Sequence, residues 1–449
     1  MYQKTPLESW ILGKVANKPG GPAGLTRSMI EDYQIRKLRE TLTLAVKSPF
    51  YRRRLGRIEV EKFRSVQDIR HIPFTSAGDL ARNPLQMLCV SQDSINRVVT
   101  LDSSGTTGEP KRVFFTAADQ ELTRDFFHHG MSTLVRPGNR VLILLPCELP
   151  GSVGDLLAEG LQRLPALPVR HGLVRDPKAV MEIIAKERID SLVGIPTQVL
   201  SLAYCEPVEW KKRGVRLKDV LLSTDHVPAS LAKQLEKTWG CRVFNHYGMT
   251  ETGLGGGVEC EALAGYHLRE ADLLFEIVDP GTGEVLPAGE EGEVVFTTLT
   301  RRGMPLIRYR TGDLARFIPE PCPCQTVLKR MSPVKDRVRG RVALTGGGCL
   351  SMSMLDEAIF SLRGVINFRA VLSSREGGDV LQIIVQTAGN AAENTPSLVE
   401  QALISIPVIS VNAGKGSLDL APVELEPFKE LWQPQKRVIQ DLRYREPGN

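Results

Sequence analysis

Long apolar runs and an excess of one charge are both missing from this sequence. No stretch of about 18 apolar residues occurs, and the N-terminus carries Lys4 and Glu8 instead of an apolar leader segment. We therefore expect a cytoplasmic protein that is neither secreted nor membrane-spanning. The 57 basic and 52 acidic residues are mixed along the chain, with a net charge of +5. This mixture excludes a dedicated nucleic-acid-binding stripe and allows a basic patch for phosphorylated ligands.

Cysteine is scarce, with eight residues in a chain of 449, and their spread excludes a disulfide framework. In a reducing compartment these residues must be thiols or metal ligands. The Walker spacing GxxxxGK[ST] is also missing, which excludes a P-loop NTPase. The length and the hydrophobic fraction of 42% are sufficient for a large core and for two to four domains.

The most informative segment that is present is LDSSGTTGEPKRV at residues 101–113. Its backbone N–H groups and hydroxyls can converge on one point, and Lys111 adds a positive charge, as in loops that hold a polyphosphate. The apolar residues that follow favour a loop between two strands. A merely flexible loop is the alternative. The predicted phosphate-binding residues are Ser103, Ser104, Gly105, Thr106, Thr107 and Gly108, with Lys111.

Helix and strand patterns alternate through the first two thirds of the chain. The pattern predicts one helix from Met29 to Ser48, ended by Pro49. RVLILLP, LPVRHG and DSLVGIP are predicted strands, and GDLLAEGLQRL and PKAVMEIIAKERI are helices between them. Strands that alternate with helices indicate βαβ units and a parallel sheet.

Beyond Glu270 the pattern changes to strands and turns, which predicts a smaller antiparallel region. The Gly-rich stretch KDRVRGRVALTGGG near residues 335–348 is a plausible hinge. The predicted fold is therefore α/β: a large N-terminal domain (residues 1–333) with parallel-sheet subdomains and a small β region, and a small mobile α+β C-terminal domain (residues 334–449).

Several ordered segments carry a family resemblance. SPFYRR, SSGTTGEPKR, LPCELPGSVGDLL, NHYGMTE, FTTLTRRGMPLIRYRTGDLARF and PCPC follow one another along the chain. In this order they resemble the adenylate-forming enzymes, the superfamily of acyl-CoA synthetases, and most closely the phenylacetate–CoA ligase-like branch. Several signatures in order are far more specific than any one of them.

The resemblance implies roles around a nucleotide. Thr250 would contact the α-phosphate of ATP, and Glu251 would help to hold magnesium, a hard cation that prefers carboxylate oxygen. Tyr247, followed by Gly248, would stack on adenine, and Asp313 would accept both ribose hydroxyls. A helix N-cap at Thr250 and a turn at Asp313 are the structural alternatives.

Two further nucleotide contacts are less regular than in the family. The segment STDHVP stands where the family has its adenine-binding loop, and Asp225 is the candidate for the adenine amino group. In the hinge, the ribose-binding arginine could be any one of three, because the register is ambiguous. These candidates are Arg337, Arg339 and Arg341, of which the first two are taken as nucleotide-binding residues.

The chain departs from the family near its C-terminus. The family carries a lysine shortly before an Arg-Val pair, and this lysine bridges the carboxylate and the α-phosphate during adenylation. Here the pair is Arg437-Val438, Pro434 occupies the lysine position, and Lys436 is the nearest ammonium. We expect Lys436 to serve as the catalytic lysine, and a competent nucleotide site is predicted more firmly than rapid adenylation.

Four residues have the character of a structural zinc site. Cys260 and His267 are separated by six residues, and Cys322 and Cys324 form PCPC. Spacing alone leaves ordinary core cysteines equally open. The resemblance favours zinc, since many members of the branch carry cysteines and a histidine at these places.

The implied activity is a two-step, ATP-dependent ligase. A carboxylic acid, an aryl acid by default, would form an acyl adenylate, and coenzyme A would then attack it to give a thioester and AMP. The expected ligands are ATP or AMP, magnesium, coenzyme A and structural zinc; neither nucleic acid nor a membrane is expected as a partner, and a homodimer is possible. Two alternatives remain: an acceptor other than coenzyme A, and a nucleotide-binding homologue that has lost the adenylation lysine.

Overall fold

The computed structural model of the chain describes residues 2–16, 24–56, 58–101, 110–205, 216–388, 394–427 and 437–443. Its α-helices are α1 (Pro6–Ala16), α2 (Arg27–Ala45), α3 (Pro49–Leu55), α4 (Ala77–Arg82), α5 (Ala117–Met131), α6 (Val153–Arg163), α7 (Pro177–Lys186), α8 (Pro196–Tyr204), α9 (Ala229–Trp239), α10 (Met352–Ile359), α11 (Thr395–Ile404) and α12 (Pro407–Gly414). Short 3-10 turns are Val60–Lys62, Val66–His71, Pro84–Met87, Gln92–Ser94 and Thr250–Thr252.

The β-strands are short for the most part. They are β1 (Ile95–Leu101), β2 (Lys111–Thr116), β3 (Arg140–Leu144), β4 (Leu167–Arg170), β5 (Ser191–Gly194), β6 (Asp219–Leu222), β7 (Arg242–Tyr247), β8 (Gly257–Glu259), β9 (Tyr266–Leu268), β10 (Leu273–Val278), β11 (Gly292–Thr298), β12 (Tyr309–Ala315), β13 (Phe317–Ile318), β14 (Arg330–Met331), β15 (Asp336–Arg337), β16 (Arg341–Ala343), β17 (Cys349–Ser351), β18 (Val365–Arg375), β19 (Gly378–Thr387), β20 (Leu418–Leu420), β21 (Glu424–Pro427) and β22 (Ile439–Asp441).

Hydroxyl side chains fix where several helices begin. The caps Thr26, Ser48, Ser76 and Thr116 each accept a hydrogen bond from a backbone N–H of the turn that follows. The prediction of one helix from Met29 to Ser48 is wrong at its end, because α2 stops at Ala45 and Ser48 caps the next helix. Pro49 is the first residue of α3, since the first turn of a helix needs no N–H from it.

The chain folds into two units, each assembled from separated segments. Unit 1 comprises Met1–Gly138, Pro146–Pro168 and Phe244–Val334, and unit 2 comprises Asn139–Leu145, Val169–Val243 and Lys335–Asn449. The chain thus passes from unit 1 to unit 2 after Val334. The division into domains at residues 333 and 334, and the mobility of the C-terminal part, stay predictions.

Unit 1 contains antiparallel strand pairs around one hydrophobic core. β1 pairs with β2, β10 with β11, and β11 with β12. A second set runs from β7 through β8, β9 and β14 to β13. Apolar side chains of α2, β2, β10 and β11, such as Leu38, Phe114, Ile277 and Phe296, share the core. The prediction of an antiparallel region beyond Glu270 is confirmed.

Unit 2 contains the parallel strands. β5 pairs with β3 on one side and with β6 on the other, in parallel. In the C-terminal part, the long antiparallel pair β18–β19 is extended by β22 next to β18 and by β20 and β21 next to β19. Leu142 and Leu222 of the first sheet and Leu355 and Phe368 of the C-terminal part belong to one core. The α/β class with a parallel sheet is confirmed.

Length and apolar composition were also compared with what a membrane span requires. Taken singly, no described helix meets both requirements, whereas α11 and α12, bent by 91° at their junction, meet them only as a pair.

Candidate active site

The predicted phosphate-binding loop lies between two paired strands, as the sequence pattern predicts. β1 ends at Leu101, β2 begins at Lys111, and these two residues are partners in the strand register. Ser103, Ser104, Gly105, Thr106, Thr107 and Gly108 lie outside the described residues. Lys111 therefore marks the point at which the chain leaves the loop.

Lys111 is paired with Glu251 in the interior of unit 1. Its Nζ donates to Glu251 Oε1 at 2.7 Å, and the side chains are 20% and 2% exposed. The hydroxyl of Tyr309 donates to the same oxygen at 3.0 Å. A buried carboxylate is held in this way by one cation and one neutral donor, which offset the cost of removing its charge from water.

Glu251 is the middle residue of the turn Thr250–Thr252. Glycines on both sides of the turn, Gly248 and Gly253, allow the backbone to pack closely there. A Cβ at Gly248 would lie 2.5 Å from the carbonyl oxygen of Leu254 and 2.7 Å from the His246 ring. Gly253 ends the turn with φ +77°, a left-handed conformation that favours glycine. Thr250 is half-buried at the start of the turn. The segment between Gly248 and Gly253 therefore has a fixed course, which orients Glu251.

Tyr247 and Asp313 form a second buried pair. The Tyr247 hydroxyl donates to Asp313 Oδ2 at 3.0 Å, and the two residues are 6% and 5% exposed. The Asp313 backbone N–H donates to the Thr311 hydroxyl at 3.0 Å, and Gly312 has φ +76°. The left-handed conformation of Gly312 thus distorts the backbone of β12 at the TGD sequence, and the carboxylate of Asp313 faces Tyr247.

The Tyr309–Glu251 and Tyr247–Asp313 hydrogen bonds both join residues 247–251 to strand β12. Tyr309, Thr311 and Asp313 alternate along the strand and are all buried. Tyr309 is a buried partner of Glu251 that sequence analysis missed, although it lies inside the segment FTTLTRRGMPLIRYRTGDLARF. The two-residue alternation with Asp313 is the signal that could have found it.

The other residues predicted to contact the nucleotide lie in unit 2 or outside the described residues. Asp225 is half-buried, and its Oδ1 accepts the His226 N–H at 2.8 Å. Removal from water raises the pKa of Asp225 to about 6, against the attraction of Arg437 and Arg337 and with repulsion from Asp356. Arg337 is half-buried, whereas Arg339 is exposed. Lys436 and Pro434 lie outside the described residues.

The structure brings the four predicted zinc ligands together in unit 1. Cys260 follows β8, His267 lies in β9, and Cys322 and Cys324 lie between β13 and β14, all buried. Their ligand atoms all lie within 4.8 Å of one another. The Sγ atoms of Cys260 and Cys322 are 3.6 Å apart, and Cys324 Sγ is 3.4 Å from His267 Nε2.

These separations are those of metal ligands rather than of a disulfide. A disulfide requires about 2.05 Å between sulfur atoms. Ligands about 2.3 Å from a tetrahedral zinc ion are about 3.7 Å apart. The hydrogen bond with Cys260, followed by that with His267, lowers the pKa of the Cys324 thiol against the effect of burial. Thiolate is the form that binds metal.

The arrangement around Glu251 suits phosphate chemistry. A carboxylate oxygen is a preferred ligand for a hard divalent cation, and a lysine ammonium is a point charge for phosphate. Lys111 follows a segment rich in hydroxyls and glycines, and Glu251 contacts Lys111 from the turn Thr250–Thr252. Tyr247, close before that turn, is paired with Asp313.

The family model described as AMP-binding enzyme matches residues 88–299. The phenylacetate-coenzyme A ligase of Thermus thermophilus is 32% identical over 344 residues, which cover 73% of this chain and 74% of that protein. The chain belongs to the adenylate-forming enzymes, in the phenylacetate–CoA ligase-like branch. The phenylacetate-coenzyme A ligase of Aromatoleum evansii, from the same branch, is 31% identical over 307 residues, which cover 66% of this chain and 68% of that protein.

Solved structures agree with this adenylate-forming fold. The crystal structure of 2-hydroxyisobutyryl-CoA ligase in the postadenylation state, in complex with 2-HIB-AMP, matches with a TM-score of 0.76 and 20% identity. The match covers 94% of this chain and 91% of that one. At this identity the likeness establishes the fold of the adenylate-forming family and leaves the substrate to the site itself.

Proposed function

We propose that this adenylate-forming enzyme is an AMP-forming carboxylate–CoA ligase. A carboxylate oxygen attacks the α-phosphorus of ATP, pyrophosphate leaves, and an acyl adenylate forms. The thiol of coenzyme A then attacks the acyl carbon, the thioester forms, and AMP leaves with the bonding electrons. The observation that carries the proposal is the Lys111–Glu251–Tyr309 cluster, which follows a hydroxyl-rich loop in a chain of this family.

Adenylation requires negative charge to be neutralised on the phosphates. Lys111 and Glu251 neutralise one another in the structure, so the pair must separate when the reactants bind. Lys111 then meets the phosphates, together with the residues of the loop from Ser103 to Gly108, and Thr250 contacts the α-phosphate. Glu251 is suited to hold magnesium, which when bound neutralises phosphate charge. Tyr309 keeps the Glu251 carboxylate oriented during the exchange.

The adenosine part of the nucleotide is assigned to the second pair. Tyr247 presents its ring to adenine beside Gly248, and its hydroxyl orients the Asp313 carboxylate for the ribose hydroxyls. Asp225 is the proposed partner of the adenine amino group, and Arg337 or Arg339 contacts the ribose. Lys436 is the proposed catalytic lysine of the C-terminal part, which we place at residues 334–449.

The acid is proposed to be an aryl acid, since the relatives are named phenylacetate-coenzyme A ligases. The ligands are this acid, ATP and coenzyme A, and the expected location is the cytosol. A homodimer stays a prediction.

A structural zinc ion is proposed at Cys260, His267, Cys322 and Cys324. The donor set of three sulfurs and one nitrogen fits zinc, and the separations of 3.6 and 3.4 Å support a tetrahedral ion. Four protein ligands complete the coordination, so the ion would hold the loops after β8 and β13 together and take no part in catalysis.

The proposal is tested by separating the two half-reactions. The purified chain is incubated with ATP, magnesium and a panel of aryl acids that begins with phenylacetate, and pyrophosphate release and hydroxylamine-trapped hydroxamate are measured. Addition of coenzyme A must then give a thioester detected by mass spectrometry. The matched control is the variant Glu251→Gln.

Pro434 specifically favours one second candidate, a nucleotide-binding homologue without ligase activity. That protein would bind AMP in calorimetry and release no pyrophosphate with any acid. Under the ligase proposal, Lys436→Ala lowers pyrophosphate release. Under the second candidate, Pro434→Lys creates activity that the unmodified chain lacks.

A further inference from the structure

Arg301 is a buried cation of unit 1 that has an unpartnered nitrogen among the described residues. It lies in the loop that follows β11, and only 5% of its surface is exposed. Within the part of the chain that the structure describes, Nη1 is buried without a hydrogen-bond partner. Burying a charged group without a hydrogen-bond partner costs free energy. A bound ligand or ion that supplies the missing partner is one reason why native proteins retain such a group.

The guanidinium of Arg301 lies between the two segments that supply the Lys111–Glu251 pair. Its Cζ is 4.9 Å from the ring centroid of Phe115, which lies on the strand that begins at Lys111. A Cβ on Gly253 would be 3.1 Å from Arg301 Nη2, and Gly253 directly follows the turn that carries Glu251. Glycine at this position therefore leaves room for the guanidinium beside the turn.

The carboxylates that face Arg301 are already engaged by other donors. Asp119 accepts the backbone N–H groups of Thr116, Arg302 and Gly303 at 2.8 to 3.1 Å. Glu251 Oε1 accepts from Lys111 and Tyr309.

A second cation, Arg269, is paired with Asp272 at 2.8 Å. Burial lowers the pKa of Arg301 to about 10, against the attraction of Asp119 and Glu251 and with repulsion from Arg269. Within the described part of unit 1, the positive charge of Arg301 is therefore only partly balanced.

We propose that Arg301 binds an anionic oxygen of the reactants, either the carboxylate of the acid or a phosphate of the nucleotide. The assignment of the anion to these reactants rests on the proposed function. It gives unit 1 a fixed cation for the charges that meet during adenylation, in a chain that has Pro434 where its family has lysine. No covalent bond to Arg301 is involved.

The test compares Arg301→Gln with Arg302→Gln, a variant of the adjacent and exposed arginine. Calorimetry measures the affinity for AMP and for adenosine, and the affinity for the acid that gives the fastest hydroxamate formation. Loss of one charge-assisted hydrogen bond corresponds to an affinity about 10-fold or more lower. Arg302→Gln is expected to bind all three ligands as the unmodified chain does.

The ligand that weakens identifies the anion. A smaller preference for AMP over adenosine in Arg301→Gln assigns the phosphate, and weaker acid binding with unchanged AMP binding assigns the carboxylate. Arg301→Lys, which retains a charge, should restore part of the lost affinity. Unchanged affinity for AMP and acid in Arg301→Gln overturns the proposal, and so does an unmodified chain that binds neither.

Thermal unfolding distinguishes ligand binding from a purely structural role. Removal of a buried, unpaired charge should leave the melting temperature of Arg301→Gln unchanged or higher, while the affinity falls. A structural arginine would instead lower the melting temperature, and this outcome together with normal affinity in the folded fraction contradicts the proposal. Pyrophosphate release by the unmodified chain tests the ligase function separately.

Discussion

Two of the buried polar clusters of unit 1 are organised in different ways. Around Glu251, a carboxylate is matched with an ammonium and a phenol, so that each group has a partner of complementary kind. Around Cys260 and His267, four groups that can all donate an electron pair converge on one another. Each group of the first cluster has a partner of opposite character in the structure, whereas the proposed zinc ion would be the common partner of the second.

This difference indicates what each cluster does when a ligand arrives. Under the proposed function, the Lys111–Glu251 pair exchanges its internal bond for bonds to phosphate and to a cation, so the free energy that stabilises the pair reduces the free energy of ligand binding. In the cysteine and histidine cluster the four ligand atoms already face one another, so a cation would bind without drawing them apart to separate partners. We therefore expect the first to be a site of turnover and the second to be a permanent structural element.

The largest expected effect is on catalysis, with Glu251→Gln. The amide keeps the size of the side chain but loses the charge, so neither Lys111 nor a cation has its counter-ion. We expect kcat/KM for pyrophosphate release to fall by about 10²- to 10³-fold. Glu290→Gln, at an exposed glutamate, is the matched control. Comparable activity in the two variants would remove Glu251 from the proposed mechanism.

The next effect is on stability, with Cys324→Ser. Loss of one of four ligands should release zinc and lower the free energy of unfolding by about 3 kcal/mol, because the loops after β8 and β13 lose their common ligand. Zinc content by mass spectrometry and chemical unfolding measure the two effects. Cys349→Ser, at an exposed cysteine, should retain both properties. Equal zinc content in the two variants would show that the clusters do not differ as described.

Sequence analysis predicted the two clusters to different extents. The four zinc candidates could be chosen from residue type, but a separation of more than fifty residues along the chain says nothing about distance. Pairing of β8 with β9 and of β9 with β14 brings them together, and such register is a tertiary property. Lys111 and Glu251 were assigned to phosphate and to magnesium separately, and their direct contact was not predicted.

Residues without a motif of their own were the hardest to predict. Tyr309 lies in a recognised segment, where only its two-residue alternation with Asp313 singles it out, and Arg301 looks like a surface residue because Arg302 is beside it. Only the fold shows that one of these two arginines is buried and the other exposed. The alternation of strands and helices, in contrast, is a local property and was predictable.

A smaller effect is expected for Tyr309→Phe, which removes one of the two bonds to Glu251 Oε1. The loss of one neutral hydrogen bond is worth about 1 kcal/mol, or about 5-fold in kcat/KM. Tyr247→Phe is the matched variant, because it removes the bond to Asp313 and should act on KM for ATP. Steady-state kinetics with varied ATP distinguish them. Identical changes in both variants would contradict separate roles for the two pairs.

The smallest effect concerns Asp225 in unit 2. Lys111 offsets the cost of burying the Glu251 carboxylate, and Asp225 tests whether its own neighbouring cations do the same. Its pKa of about 6 lies above the ordinary value of 3.8. Between these values the folded state binds more protons than the unfolded state, so the contribution of Asp225 to stability falls as the pH rises from about 4 to about 6. Above that range the contribution is constant and unfavourable.

Asp225→Asn removes this contribution, because the amide does not titrate. We expect the variant to have a higher free energy of unfolding, and so a higher melting temperature, than the unmodified chain at pH 7.5. The difference in free energy should shrink by an amount on the order of 1 kcal/mol as the pH falls toward 4. Asp93→Asn, at an exposed carboxyl, controls for the change of charge alone. A lower melting temperature for Asp225→Asn at pH 7.5 would mean that Arg437 and Arg337 more than offset burial, and Asp225 would then resemble Glu251.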